Sequence, residues 1–167
     1  MNFWILILGI LSLVIFLFWI SVVFLGAPFD STNRKTLRKM IKFSKIKKGE
    51  KVADLGSGNG KIVIEFAKRG IEAHGFEVNP FLVWFSRRKI KKLNLEKKAF
   101  IHQKNFWKQD FSQFDLISIF QVGYIMGKLE KKLKKELKKG SRVISNTWKF
   151  PNWKPEKQEG YAYLYKV

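Results

Sequence analysis

The sequence contains no cysteine, and only 13 of its 167 residues are acidic, against 33 lysines and arginines. The absence of cysteine excludes disulfide bonds, thiol nucleophiles and cysteine-ligated zinc. It is typical of a chain that works in a reducing compartment. We predict no metal site.

Charge of one sign dominates, and the formal net charge is +20. Clustered basic groups bind nucleic acid because they release condensed counterions from phosphates. Here the excess is mostly lysine, is spread along the chain and includes only six arginines, the side chain that reads phosphates and guanines in bidentate geometry. A lysine-rich surface against an anionic membrane leaflet explains the charge at least as well. We therefore expect that nucleic acid is not the main partner.

The N-terminal segment lacks charge altogether. From Phe3 to Leu25 the only polar side chains are Ser12 and Ser21. A helix of this length measures about 34 Å, slightly more than the hydrocarbon core of a bilayer. The run is too long for a cleaved signal peptide, and no basic residue precedes it. The pattern predicts a transmembrane helix within an anchor over residues 1–26.

The residues after this segment predict its orientation. A basic cluster follows, formed by Arg34, Lys35, Arg38, Lys39 and Lys42. Positive charge beside a span favours the cytoplasmic side. We therefore expect a single-pass membrane protein with a domain over residues 27–167 on the cytoplasmic face.

Strand and helix patterns alternate along residues 27–167, which predicts an α/β fold with a doubly wound, mostly parallel sheet and an antiparallel C-terminal strand. The predicted strands are Lys51 to Leu55, one ending at Glu77, 99–105, 114–120, 142–150 and 160–167, with a possible short strand around Trp153 to Lys157. The predicted helices cover 34–46, 62–69, 80–93 and 126–139, the last one ended by Gly140. Ser31, Thr32 or Asn33 would cap the first of these helices.

The stretch "DLGSGNGK", Asp54 to Lys61, follows the first predicted strand. Glycines there let the backbone turn sharply and bring bare amides close to a ligand at the carboxyl edge of the sheet. The dinucleotide fingerprint would need a sixth-position glycine where Lys61 stands, and the phosphate-loop spacing is also absent. Glu77, at the end of the next strand, is placed to accept the ribose hydroxyls of an adenosine.

The elements "DLGSGNG" and "FEVNP", in register, resemble class I, seven-stranded S-adenosylmethionine-dependent methyltransferases. Together with "APFDSTNRKTLRKMI" and "RVISNTWKFPNWKPE", they are similar to the small membrane-anchored protein lysine methyltransferases that act on the c-ring protein of ATP synthase and the adenine nucleotide translocase, and to their archaeal relatives. The resemblance runs from about Ala27 to the C-terminus. It implies a Rossmann-like fold, S-adenosyl-L-methionine as cofactor and a lysine-bearing, membrane-associated protein as substrate.

The resemblance also implies roles for individual residues. The cofactor would contact Thr32, Asp54, Gly56, Ser57, Gly58, Gly60, Glu77, Asn105 and Phe106, with Glu77 on the ribose and the last two on the adenine. The acceptor site would involve Phe120, Gln121 and Asn146. The N/D-P-P-Y motif of amide and base methyltransferases is absent, which disfavours adenine or glutamine as acceptor. No side chain is identified as a general base.

Other interpretations stay open at this point. Asp54 is also compatible with a turn cap, Glu77 with a solvated strand end, and Gln121 and Asn146 with simple strand-end hydrogen bonding. His74 and His102 fit packed strand positions better than catalytic ones. Two other functions compete with lysine methylation: methylation of a membrane-associated small molecule such as a quinone or lipid, and non-catalytic nucleic-acid binding at the membrane.

Overall fold

The structure is a computed structural model that describes residues 3–25 and 34–167, with the side chains of 3–17 and 37–167. The chain divides into two compact units, Met1–Asp30 and Ser31–Val167. The linker and the predicted helix cap at residues 31–33 lie outside the described residues, and so does Thr32.

The first unit contains one helix, α1 (Phe3–Leu25). The described side chains from Phe3 to Leu17 are exposed, and Ser12 is the polar one among them. Within the described residues no helix combines the length and apolarity that crossing a membrane requires. For the described chain, the predicted transmembrane helix and single-pass membrane localisation are therefore wrong.

The second unit is built on a seven-stranded sheet. Its strands are β1 (Lys51–Leu55), β2 (Glu72–Glu77), β3 (Ala99–Gln103), β4 (Leu116–Ile119), β5 (Arg142–Asn146), β6 (Lys157–Glu159) and β7 (Ala162–Lys166). The strand order is β3-β2-β1-β4-β5-β7-β6. The first five strands are parallel, while β7 pairs antiparallel with both β5 and β6. The predicted Rossmann-like sheet with an antiparallel C-terminal strand is confirmed.

Helices cover both faces of the sheet, as buried parallel strands require. They are α2 (Arg34–Ser44), α3 (Lys61–Ala67), α4 (Pro80–Lys92) and α5 (Met126–Glu136). The apolar residues of α2, α3 and α4 join one buried core cluster, and those of α5 join a second cluster with Phe111 and Phe114. Asn79 caps α4 by accepting from the Phe81 and Leu82 amides, and Pro80 takes the first turn, where its missing N–H costs nothing.

Most predicted elements are shorter in the structure, by four residues for β5, which ends at Asn146, and two boundaries differ in an instructive way. The short strand expected around Trp153 to Lys157 forms at Lys157–Glu159 instead, because the Trp153 ring is buried against Phe150 and Tyr165. The last helix ends at Glu136 rather than at Gly140, since Leu137 is already extended. Gly140, at φ 90°, belongs to the turn before β5.

The register of the sheet aligns its carboxyl ends. Ser145 pairs with Ile119, Ile119 with Leu55, and Leu55 with Phe76. One residue further along these four strands lie Asn146, Phe120, Gly56 and Glu77. They form a transverse row at the edge where parallel α/β sheets bind ligands.

Candidate functional site

The loop after β1 turns back tightly onto β2. Gly56, Gly58 and Gly60 all have positive φ values, 75°, 52° and 72°, which glycine adopts without strain. The amides of Gly56 and Ser57 donate to the Phe76 carbonyl at 2.9 and 3.1 Å. A Cβ on Gly75 of β2 would lie 2.5 Å from Ser57 Oγ, so the loop rests directly on that strand. The glycines therefore let the backbone of the loop lie close against the backbone of β2.

Glu77 is buried and organises the loop. Its Oε2 accepts from the Gly58 amide at 2.9 Å, and its Oε1 accepts from the Val78 and Asn79 amides at 2.8 and 2.9 Å. A carboxylate offers about four acceptor positions, and these bonds use three of them. Oε2 keeps room for one further donor, such as a ligand hydroxyl. The interpretation of Glu77 as a solvated strand-end acid is wrong, because the side chain is only 9% exposed.

Asp54 is also buried, at the end of β1. Burial raises the pKa of its carboxyl to about 7, with a smaller contribution from the negative charge of Glu77. The Ser118 hydroxyl, on the paired position of β4, limits that rise in pKa. A carboxyl poised near neutrality at a ligand-binding edge ionises readily when a cation arrives.

Three buried side-chain oxygens at this edge have no hydrogen-bond partner among the described residues. They are Ser57 Oγ in the glycine loop, Ser118 Oγ beside Asp54 and Asn146 Oδ1 at the end of β5. Buried polar groups in folded proteins are almost always paired. Unpaired ones at a ligand-binding edge indicate that a ligand supplies the partner.

The remaining predicted residues lie along the same edge. Gln121 donates from Nε2 to the Leu55 carbonyl at 2.7 Å, which ties the end of β4 to β1. Asn105 is exposed and accepts from the Trp107 amide at 2.9 Å, beside the half-buried Phe106. Phe120 is half-buried and directly follows β4, which lies between β3 and β5 in the strand order. The structure therefore brings the predicted residues together, apart from Thr32, which it does not describe.

Sequence reasoning missed several residues of this edge. Ser118 lies beside Asp54, and its polar side chain inside the apolar run "LISIF" was the available signal. Ser86 of α4 donates to the Gly58 carbonyl at 3.0 Å, a contact across 28 residues with no local signal. Trp148, by contrast, is one of the aromatic residues that the sequence offers as core or acceptor-pocket lining; it packs on Gly123, where a Cβ would lie 2.7 Å from the indole.

The two histidines form a pair away from the glycine loop. His74 Nδ1 and His102 Nε2 are 3.0 Å apart, and their rings stack. Burial lowers the pKa of His102, and the nearby His74 lowers it further. Over the described ranges, no group of three or more His, Asp or Glu side chains is arranged to hold a metal ion.

A protein-family model matches residues 54–157, from the acid of the glycine loop to the start of β6. That model describes the ANTKMT methyltransferase domain. The chain belongs to this methyltransferase family. The family resemblance predicted from "DLGSGNG" and "FEVNP" is confirmed.

Curated relatives agree with the family. The chain is 39% identical over 133 residues to the human lysine N-methyltransferase of the ATP synthase c-ring protein, covering 80% of this chain and 57% of that protein. It is 32% identical over 131 residues to a protein-lysine N-methyltransferase of Saccharolobus islandicus, covering 77% and 81%. It is 30% identical over 132 residues to the mouse adenine nucleotide translocase lysine N-methyltransferase, covering 78% and 57%. The chain thus spans a little over half the length of these animal relatives.

Solved structures establish the fold of the methyltransferase domain. An RNA methyltransferase from Salinibacter ruber, in complex with S-adenosyl-L-homocysteine, superposes with a TM-score of 0.78 at 24% identity, covering 83% of this chain and 94% of that one. A methyltransferase from Thiobacillus denitrificans, also in complex with S-adenosyl-L-homocysteine, superposes with a TM-score of 0.61 at 18% identity. The match covers 68% of this chain and 48% of that one. At these identities the likeness concerns the fold.

Proposed function

We propose that this methyltransferase domain binds S-adenosyl-L-methionine and transfers its methyl group to lysine side chains of protein. The observation that carries the proposal is the buried Glu77, which is bonded to the glycine loop and keeps one acceptor position on Oε2. The family and its lysine-methylating relatives support the choice of acceptor.

The residues at the edge fit such a cofactor. Glu77 Oε2 suits a ribose hydroxyl, Ser57 Oγ lacks a partner among the described residues, and the positive-φ glycines leave a cradle beside bare backbone amides. Asp54 supplies a negative charge near a cationic ligand once it ionises. Asn105 and Phe106 lie next along the edge, where we place the adenine. Contact of Thr32 with the cofactor stays a prediction.

We place the site for the acceptor lysine at the ends of β4 and β5, next to Phe120, Gln121 and Asn146. When bound, the cofactor would supply a methyl group on a sulfonium; the lone pair of a neutral amine would bond to the methyl carbon while the C–S bond breaks and its electron pair stays on sulfur. A free lysine has a pKa near 10.4, so about one part in two thousand is neutral at pH 7. An enclosed site with amide oxygens as acceptors favours the neutral amine and orients its lone pair. The amine proton leaves to water.

The test uses the full chain, radiolabelled methyl donor and a protein extract. We expect label in protein, recovered as methylated lysine after hydrolysis, with the c-ring protein of ATP synthase as the first purified acceptor to try. Glu77→Ala should abolish the labelling, whereas Glu96→Ala, a matched change at an exposed glutamate, should leave it intact.

Other outcomes decide against the proposal. Label that extracts with lipid and not with protein would indicate a small-molecule methyltransferase. Salt-dependent binding to DNA or RNA, with no calorimetric signal for S-adenosylhomocysteine, would indicate a nucleic-acid binder.

A further inference from the structure

The end of β5 holds a buried acceptor that no described residue uses. Asn146 is 7% exposed, and its Oδ1 has no hydrogen-bond partner in the described chain. Its backbone, by contrast, is engaged, since the Asn146 carbonyl accepts from the Trp148 amide at 3.0 Å. The unpaired oxygen is therefore held in place without being satisfied.

A strained turn fixes this arrangement. The bond from Trp148 to Asn146 closes a three-residue γ-turn around Thr147, whose φ is 73°. That conformation is rare, above all for a β-branched residue, and such strain concentrates at functional sites. The Thr147 amide donates to the Tyr161 carbonyl at 2.8 Å, and Ser145 Oγ donates to the Trp148 carbonyl at 2.8 Å. Three hydrogen bonds thus hold a turn that the backbone itself disfavours.

The register places this oxygen beside the cofactor site. Asn146 lies in the transverse row with Phe120, Gly56 and Glu77. It is on the same face of the sheet as Asp54, because Asp54 pairs through Ser118 with Ile144 and Asn146 follows two residues later on the same strand. At about 4.8 Å per strand, it lies about 10 Å from the glycine loop, on the side away from Glu77. An acceptor amine that approached the loop from the β4 and β5 side would pass this oxygen.

We infer that Asn146 Oδ1 accepts a hydrogen bond from the substrate amine and turns its lone pair toward the methyl group, with the Thr147 turn as its positioning device. This inference rests on the proposed function. An amide oxygen suits the role because it accepts from an N–H of the amine and donates nothing to the nitrogen, so the lone pair stays free for the transfer. In the transfer the N–C bond forms as the C–S bond breaks, and the product ammonium loses its proton to water.

The chemistry of successive methylation provides a signature for this contact. A neutral lysine amine has two N–H donors, monomethyl-lysine has one, and dimethyl-lysine has none. Asn146 therefore assists the first two transfers and contributes nothing to a third. A residue that only supports the fold would affect all three transfers alike.

The experiment compares the full chain with Asn146→Leu on three synthetic peptides that carry lysine, monomethyl-lysine or dimethyl-lysine at one position. We expect kcat/KM to fall about 100-fold on the first two peptides and less than threefold on the third. The Kd for S-adenosylhomocysteine should stay within threefold of the original value. Asn152→Leu, the same change at an exposed asparagine, is the matched control and should alter none of these values.

Asn146→Asp keeps the acceptor oxygen and is the variant to test if the leucine variant does not fold. Its kcat/KM on the first two peptides should stay within about tenfold of the original value. Equal losses by Asn146→Leu on all three peptides, or transfer to lysine that survives Asn146→Leu, would overturn the role of Asn146 alone. No transfer to any peptide by the unaltered chain, with S-adenosylhomocysteine bound, would overturn lysine as acceptor and this inference with it.

Discussion

The two halves of the carboxyl edge differ in how their backbone is held. On the β1 and β2 side, Glu77 accepts three amides, Ser86 holds the Gly58 carbonyl, and the positive φ values fall on glycines. On the β4 and β5 side, the positive φ falls on Thr147, beside Asn146. Each half keeps a buried oxygen without a partner among the described residues, Ser57 Oγ in the first and Asn146 Oδ1 in the second, but only the second holds it next to a strained turn. We connect the first with a cofactor common to many enzymes and the second with a particular acceptor.

Removing the carboxylate of Glu77 should have the largest effect. Glu77→Ala leaves the amides of Gly58, Val78 and Asn79 without their acceptor, and each buried donor left unpaired costs about 1–3 kcal/mol. We expect at least about 3 kcal/mol lower free energy of unfolding. Binding of S-adenosylhomocysteine should fall below detection by calorimetry. If Glu77→Ala binds it within tenfold of the original chain, the β1 and β2 side is not the cofactor half.

A methyl group on Gly56 tests the contact between the halves. In Gly56→Ala the new Cβ collides with Gln121 Nε2, and the bond from that atom to the Leu55 carbonyl is lost. Gly70→Ala is the matched control, because φ there is 78° against 75° at Gly56 and no atom lies within 4 Å of its Cβ. Urea denaturation should show a loss of about 1 kcal/mol for Gly70→Ala and about 2–3 kcal/mol for Gly56→Ala. Equal losses would mean that Gln121 moves aside freely.

The raised pKa of Asp54 predicts opposite effects on stability and binding. Because the folded state favours the protonated carboxyl, its contribution to stability is present below the unfolded pKa of 3.8 and is lost as pH rises toward about 7. Asp54→Asn should therefore be more stable than the original chain at pH 8, by about 2 kcal/mol once the burial of the amide is counted. Denaturation of both proteins at pH 5 and pH 8 measures the difference.

The same carboxyl should make binding of the cationic cofactor pH-dependent. Ionised Asp54 attracts a cation, so affinity should rise about tenfold from pH 6 to pH 8. In Asp54→Asn this rise should disappear. An unchanged pH profile in the variant would assign the titration to another group.

The cofactor half was predictable because its signals are local. Glycine at alternate positions after an apolar run indicates the turn, and an acid at the next strand end indicates the ribose contact. Both elements occupy the predicted positions: β1 runs from Lys51 to Leu55, and Glu77 ends β2.

The acceptor half depends on contacts between residues far apart in the chain. Asn146 was named from the sequence, but nothing there indicates that its Oδ1 lacks a partner. The γ-turn around Thr147 needs the Tyr161 carbonyl, and the Trp148 ring needs the open face of Gly123. The first pairing needs β7 beside β5, and the second needs the segments that follow β4 and β5 to lie side by side. For the apolar N-terminal segment the prediction failed in the other direction. Its composition predicted a transmembrane helix, and the described residues contain none.

Gly123→Ala should have the smallest effect, and it distinguishes the two halves because it changes only the acceptor side. In Gly123→Ala the Cβ would lie 2.7 Å from the Trp148 ring, which must shift next to the Asn146 turn. We expect KM for a lysine peptide to rise about fivefold, or about 1 kcal/mol, with the Kd for S-adenosylhomocysteine unchanged. Gly127→Ala is the control, because its Cβ would be in ordinary contact, 3.5 Å from Pro151 Cγ. A loss of cofactor affinity in Gly123→Ala would show that the two halves are coupled, because only the acceptor side is touched by the substitution.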